Sequence, residues 1–448
     1  AASDVYKRQV KEVRPEGKYR VTFFFDMAHN AELPMIVGQM PILPEHYWAD
    51  KDFSKTTLEA PLASGPYKVK TFEAGRRIVY ERVQDYWGKD LPVKKGRHNF
   101  NEISFDYYRD AQVEVQAFFA GEYDFRAENI AKEWHTAYDN DLVRSGKIIK
   151  NELKHEMPQG MQAFSFNTRK DMFADKNVRR AIGLVFDFEW SNKQFAYGSY
   201  TRSQSYFSNS ELSATGVPAG RELEILKEYA DKLPAEVLTQ EFKLPKTDAS
   251  GKGIRPYLRE ASQLLDAAGW KMNADNIREK EGMLLKFEIL IRSASFERWI
   301  SPWIKNLKRI GVDATIRIVD TAQYQNRMDQ FDFDMTISTF GQSLSPGNEQ
   351  RDFWGSENAD IKGSRNVIGI QNPVIDDLIT RIIAAKDREE LIVLTRAMDR
   401  VLLWEYYVVP QWHINAHRLA YWDKFGQTKI SPKYGLAVMD TWWVRPRK

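Results

Sequence analysis

The most regular pattern in the chain lies between Leu285 and Ile337. Leu285, Phe287, Ile289 and Ile291 alternate with other residues and predict a strand. Phe296, Ile300, Trp303, Ile304 and Leu307 then recur at helical spacing and stop at Gly311, after which Ala314, Ile316 and Ile318 alternate again. Strand, helix and strand at this spacing predict a βαβ unit with two parallel strands. A further helix around 324–328 leads to Phe333, Met335 and Ile337 on one face of a strand, which empties into the loop Phe340-Gly341-Gln342-Ser343-Leu344-Ser345-Pro346-Gly347-Asn348. Loops at the carboxyl ends of such strands are where open α/β sheets bind ligands.

The same periods run through the rest. Phe164 and Phe166 mark a strand, Asp175 caps a helix with Val178, Ala181, Ile182 and Val185 inward, and Leu258, Ala261, Leu265 and Ala268 form a helix ended by Gly269. Asn372 and Pro373 open a helix with Ile375, Leu378, Ile379 and Ile382 inward. Asp387 with Glu390 resembles a capping box before Leu391, Leu394, Met398, Val401 and Leu402, and the two helices are expected to pack as a pair. Toward the start, 19–25 is strand-like, and Tyr67 and Val69 form a hairpin with Ile78-Val79-Tyr80 across Glu73-Ala74-Gly75. Ala111, Val115, Phe118 and Phe119 make a helix between Asp110 and Gly121 that feeds a strand at Tyr123 to Phe125. The stretch 205–253 reads as irregular, and the aromatic, strand-rich tail from Tyr406 is expected to return to the lobe containing the hairpin.

Length adds lobes to this picture: 448 residues exceed one compact core and predict at least two. The 65 basic and 62 acidic residues are interspersed, which argues against the one-sided basic face a nucleic-acid binder needs. With no cysteine, thiolate metal sites, disulfides and Cys nucleophiles are excluded. No apolar run approaches the roughly 20 residues that span a bilayer, and no signal-peptide core opens the chain. The abrupt start is therefore read as a truncation that has removed a secretion signal.

Catalytic constellations do not assemble. His413 and His417 follow Pro410 among strand formers, where four residues span roughly 13 Å, too far for one ion. His155-Glu156 is followed by Pro158 and by Gln159 where a zincin would need its second histidine. Gly341-Gln342-Ser343-Leu344-Ser345 lacks the second glycine of a nucleophile elbow, and the Asp332 and Asp334 pair reads as a solvated face. No enzyme, metal or cofactor is expected.

Ala63-Ser64-Gly65-Pro66-Tyr67-Lys68-Val69, Ile78-Val79-Tyr80-Glu81-Arg82 and Asp85-Tyr86-Trp87 resemble the family 5 solute-binding proteins of ABC importers. Phe118-Phe119-Ala120-Gly121-Glu122-Tyr123-Asp124-Phe125, Phe166-Asn167, Phe173 through Ala181 and Val408-Val409-Pro410-Gln411-Trp412 extend the resemblance over nearly the whole chain, which looks most similar to the YejA-type members. The resemblance implies an α/β, periplasmic binding protein-like fold (type II, cluster C) with two α/β lobes and a hinge, part of the accessory lobe being missing. Residues 1–60 would be a remnant of accessory lobe II, 61–126 and 412–448 lobe I, and 127–411 lobe III, with hinge crossings near Phe125 to Ala127 and Gln411 to His413.

It further implies a periplasmic, monomeric receptor that clamps oligopeptides, including microcin C-like peptides, between lobes I and III for membrane permease subunits. Pocket candidates on this reading are Phe164, Asn167, Phe340, Gln342, Ser343, Ser345, Asn348, Trp404 and Trp412. Peptide-binding relatives place in the crevice loop an Asp that pairs with the peptide amino terminus. Ser343 stands there in this chain, with Glu349 the candidate substitute. The alternatives are a non-peptide solute such as an oligosaccharide or metal chelate, and a secreted hydrolase.

Overall fold

A computed structural model describes residues 10–26, 30, 32–52, 55, 57–247, 251–430 and 432–446. They fall into two compact units, the first made of residues up to Gly38 with Met157–Ile414, the second of Gln39–Glu156 with Asn415–Lys448. Among the described residues no helix is long and apolar enough to cross a membrane.

The first unit is built on a mixed sheet. The predicted βαβ unit is present: Lys286–Ile291 and Asp313–Ile318 run parallel, Lys286 opposite Asp313, with the helix Glu297–Arg309 between them in sequence. Met335–Phe340 lies parallel on the other side of Lys286–Ile291, and Gln159–Phe166 pairs antiparallel with it from Phe166 opposite Met335 to Met161 opposite Phe340. The strand therefore runs to Phe340, further into the crevice segment than the alternation of apolar residues implied. Helices cover both faces, as a largely apolar sheet requires. One core gathers Phe164, Phe186, Phe287 and Trp303 against Lys176–Leu184, Arg255–Ala267 and Glu297–Arg309; the other gathers Tyr206, Phe340 and Trp354 against the paired helices Pro373–Ile383 and Arg388–Trp404.

Predicted caps act as such: the Asp175 carboxylate accepts from Asn177 N, the Asn372 amide oxygen from Val374 N and the Asp387 carboxylate from Glu390 N. The region expected to be irregular carries two short helices, Gly220–Lys227 and Ala235–Thr239, too short to register as a period.

At Gly160 the approach of the strand ending at Phe340 leaves no room. A Cβ there would overlap the Phe340 carbonyl and stand 2.9 Å from the Gly341 Cα, both backbone. Gly160→Ala is expected to cost about 1–3 kcal/mol and to displace the start of the crevice loop. Urea unfolding with hydrogen exchange over 340–345 checks this; a wild-type midpoint and exchange pattern would refute it.

The second unit contains the hairpin Tyr67–Glu73 with Arg77–Arg82, joined by Glu102–Asp106, and the helix Ala111–Ala120 between the Asp110 cap and a left-handed Gly121 at φ 83°. Its second sheet sets Ala416–Trp422 between Phe125–Ala127 and Ile148–Lys154, so the C-terminal tail and the hairpin share a unit.

In that sheet His155 and His417 lie ring against ring, centroids 4.5 Å apart. Burial lowers both imidazoles below their ordinary value, and His155 adds to the lowering at His417. A depressed folded value means that stability is present above about pH 6.5 and is lost as pH falls below it, because the unfolded chain takes up protons the folded pair resists. Denaturant unfolding between pH 7.5 and 5 is expected to show a steeper loss for the wild type than for a His155→Gln/His417→Gln variant; parallel curves would remove the pair from the account.

Candidate functional site

The crevice follows from the divergence of two strands. Lys286–Ile291 pairs with Met335–Phe340 only at Ile289 with Met335 and Leu290 with Thr336; beyond Ile291 the chain turns away through Arg292-Ser293 into the short helix Ala294–Phe296. Ile337 to Phe340 continue with one edge paired to Gln159–Phe166 and, among the described residues, no strand on the other. A cavity of about 530 Å³ opens in the gap, lined by Arg292, Phe296, Ser338, Thr339 and Phe340, by Gln162 of the paired strand, by Tyr324 and Met328 of the helix Thr321–Asp329, and by Gly363 to Arg365. Tyr324 anchors that helix: its hydroxyl lies 2.9 Å from Thr336 Oγ1 and donates to the Ile337 carbonyl at 3.2 Å.

Two guanidinium groups give the cavity its charge. Arg365 lies 4.1 Å from the centre of the Phe353 ring, and Arg292 lies 5.8 Å from that of Tyr324. Neither is hydrogen-bonded to, or within ion-pair distance of, a carboxylate among the described residues, and both are exposed. Their stems are steadied by aromatic faces while their N–H groups remain available. Asp329 also lines the wall, with its carboxylate accepting from the Gln325 amide at 2.8 Å. The Ser338 hydroxyl is buried with no hydrogen-bond partner among the described residues.

Of the nine sequence-derived pocket residues, Phe340 alone lines this cavity. Phe164 is fully buried in the core, 4.8 Å from Trp303 and 5.5 Å from Phe186, ring centre to ring centre. Buried Asn167 donates to the Phe331 and Phe333 carbonyls at 3.1 and 2.8 Å. Gln342 exchanges amide hydrogen bonds with Gln350, and exposed Ser343 accepts from the Ser345 backbone N at 3.1 Å, closing a turn within the loop. The buried Asn348 amide donates to the Glu32 carboxylate at 2.9 Å. Trp404 packs on Phe242, and Trp412 stacks on Trp299 with centroids 3.8 Å apart. Glu349, the candidate amine anchor, accepts from Gly347 N and from the Gln350 amide, and burial raises its carboxyl above the usual range. Among the described residues no three His, Asp or Glu gather as a metal site.

Arg292 was within reach of sequence reasoning, because it follows directly on the strand Lys286–Ile291 at its carboxyl end, where α/β sheets place ligand contacts. Tyr324 and Arg365 sit in segments whose sequence carries no comparable sign.

The family model described as "Bacterial extracellular solute-binding proteins, family 5 Middle" matches residues 1–361. The Agrobacterium fabrum protein named "Probable peptide-binding protein YejA" is 42% identical over 448 residues, covering 98% of this chain and 73% of its own length. The oligopeptide-binding protein AppA of Bacillus subtilis, solved with a nonapeptide, is similar in structure with a TM-score of 0.73 at 19% identity, over 99% of this chain and 79% of that one. The periplasmic oligopeptide-binding protein of Thermotoga maritima, solved with mannohexaose, gives a TM-score of 0.68 at 16% identity, over 97% of this chain and 76% of that one. The α/β binding-protein architecture expected from the sequence is the one observed, and the chain belongs to the bacterial extracellular solute-binding proteins, family 5.

Proposed function

We propose that the chain is the extracytoplasmic capture component of an ABC importer, a periplasmic monomer that holds an oligopeptide in the crevice of its first unit and passes it unaltered to permease subunits in the inner membrane. The observation that carries this reading is the strand edge Ile337 to Phe340, which has no neighbouring strand among the described residues and lies beside a cavity furnished with Arg292 and Arg365. An extended peptide presents an amide and a carbonyl at each residue, so it completes such an edge irrespective of its side chains. A guanidinium beside the edge suits its carboxylate groups. The peptide named for the A. fabrum relative and the nonapeptide of the B. subtilis protein support this choice of ligand.

The mannohexaose of the T. maritima protein supports a second reading, in which the same crevice takes an oligosaccharide. Native mass spectrometry against a peptide library, with microcin C-like peptides and oligosaccharides included, separates the two. Retention of peptides with unchanged mass over hours is expected. Retention of oligosaccharides alone would replace the ligand, and cleaved peptides would make the protein a hydrolase. The lobe division at 126 and 411 is part of the proposal; limited proteolysis that cuts near 156 rather than 126 would move the first boundary.

A further inference from the structure

The polar side chains that line the crevice cavity differ in what they leave for a ligand. The Gln162 amide donates to the Gln411 side-chain oxygen at 2.6 Å, the Gln325 amide to Asp329 at 2.8 Å and the Ser364 hydroxyl to the Asn358 carbonyl at 2.7 Å. The Tyr324 hydroxyl is taken up by Thr336 and Ile337. Arg292 and Arg365 line the same wall, are exposed, and have neither a hydrogen bond nor an ion pair among the described residues. Arg365 acts on Asp352 only through space: burial raises the Asp352 carboxyl above its ordinary value, and Arg365 lowers it in part. Asp329 is the anion on the wall, and its carboxylate already accepts from Gln325, so the two guanidinium groups leave a surplus of positive charge facing the cavity.

A guanidinium keeps its charge throughout the physiological range, and its planar fork gives a carboxylate two parallel N–H bonds. The aromatic faces beside these two, Phe353 at 4.1 Å from Arg365 and Tyr324 at 5.8 Å from Arg292, restrict the freedom that binding would otherwise have to remove. In an extended peptide, alternate side chains share one face about 7 Å apart. An acidic peptide laid along Ile337 to Phe340 can therefore present two carboxylates to one wall.

We propose that the crevice selects acidic peptides, with Arg292 and Arg365 each taking one carboxylate of the ligand. This rests on the crevice being a peptide site and adds which peptides it holds. Main-chain bonds to the strand edge are indifferent to side chains, so the discrimination falls to the two guanidinium groups. A neutral peptide leaves both of them to water, and a basic one sets like charges against each other.

Isothermal titration of the full chain with Ala-Glu-Ala-Glu-Ala-Glu-Ala, its Gln counterpart and its Lys counterpart tests the preference. All three are amidated at the carboxyl terminus, so that only side chains differ. The Glu peptide is expected to bind about fivefold or more tighter than the Gln peptide, between the worth of an exposed ion pair and that of a charge-assisted hydrogen bond. The Lys peptide is expected to bind more weakly than either. Arg292→Gln and Arg365→Gln are each expected to narrow the gap between the Glu and Gln peptides, and the double substitution to close it. Equal affinity for the Glu and Gln peptides, or a gap that survives the double substitution, would overturn the acidic preference while leaving the peptide site standing. Binding of none of the three would remove the peptide site and the preference together. Should a variant fail to fold, the comparison of Glu and Gln peptides on the wild type still decides.

Discussion

Asp399→Ala lowers the stability of the first unit by about 3 kcal/mol at pH 7.5, and by more at pH 5. The carboxylate is fully buried in the helix Arg388–Trp404 and accepts from the Ser205 hydroxyl at 2.6 Å and from the Tyr206 and Ala214 backbone N at 2.8 Å each. Alanine orphans two buried donors and the half-buried Ala214 N, at about 1–3 kcal/mol each, or about 6 in all. Against this stands the cost of the buried charge: burial pushes Asp399 up to about 6 from an ordinary 3.8. Because that shift is already net of these hydrogen bonds, it offsets only part of their loss, and a net cost of about 3 kcal/mol is expected.

The sign of the pH dependence follows from the raised value. A folded value above the unfolded one gives stability that is complete below about 4 and is lost as pH rises through about 6. The wild type therefore gains stability from this group on acidification and the alanine variant does not, so the cost of the substitution grows between pH 7.5 and 5. Urea unfolding of both proteins at the two values measures it, and a cost that shrinks on acidification would contradict the assignment. Asp399→Asn, which keeps one acceptor, is expected to fall between them.

That residue also shows where sequence reading stops. The alternation at Lys286–Ile291 and Asp313–Ile318, the helical stripes at Lys176–Leu184 and Pro373–Ile383, and the caps Asp175, Asn372 and Asp387 were all legible because each is a local pattern repeated over several residues. The loop from Ser205 to Gly216 has no period. It is held by Asp399 and by Arg400, which donates to Glu222 at 2.8 Å and to the Thr215 and Gly216 carbonyls, almost two hundred residues away in sequence. Nothing in 205–253 announces such partners.

The candidate site divides along the same line. That the strand ending at Phe340 would deliver its loop to a crevice was readable from the βαβ pattern. Which side chains face the cavity was not, because along a strand the choice between faces depends on what covers each side of the sheet. Even Phe164 and Ile337, directly opposed on one face of the sheet and packed in the same core, differ: the first is fully buried, and the second, at the margin, reaches the cavity. Likewise the aromatic character of Trp404 and Trp412 was plain in the sequence, whereas their partners Phe242 and Trp299 come from distant helices and loops.

Arg169 ties three residues of the cavity wall at 359–367 at once, which makes Arg169→Ala the substitution with the largest expected effect on ligand capture. The Arg169 guanidinium donates to the Ala359 carbonyl from Nε at 3.0 Å and again from Nη2, to Asn366 O at 2.9 Å, and to Val367 O and Asn167 Oδ1 at 3.1 and 3.0 Å. It lies 3.7 Å from the centre of the Phe331 ring, and burial pushes it down to about 10, still charged at neutral pH. The planar fork reaches carbonyls from three residues of the wall at once, which a lysine ammonium on a flexible stem does not. Thr168, next in the chain, bonds the Ile368 carbonyl through both its N and its hydroxyl, so the far end of the wall stays tied when Arg169 is cut back. Loosening is therefore confined to 359–367, which carries Arg365 into the cavity. Hydrogen exchange is expected to quicken there, at the Gly363 amide that donates to Asp329 O among others, with the core strands unchanged. Affinity for the tightest peptide from the library is expected to fall by about tenfold or more, because the wall must be ordered again on binding, and Arg169→Lys is expected to recover little of it. Faster exchange with unaltered affinity would leave the wall intact as a structural element but remove it, and Arg365 with it, from the binding site.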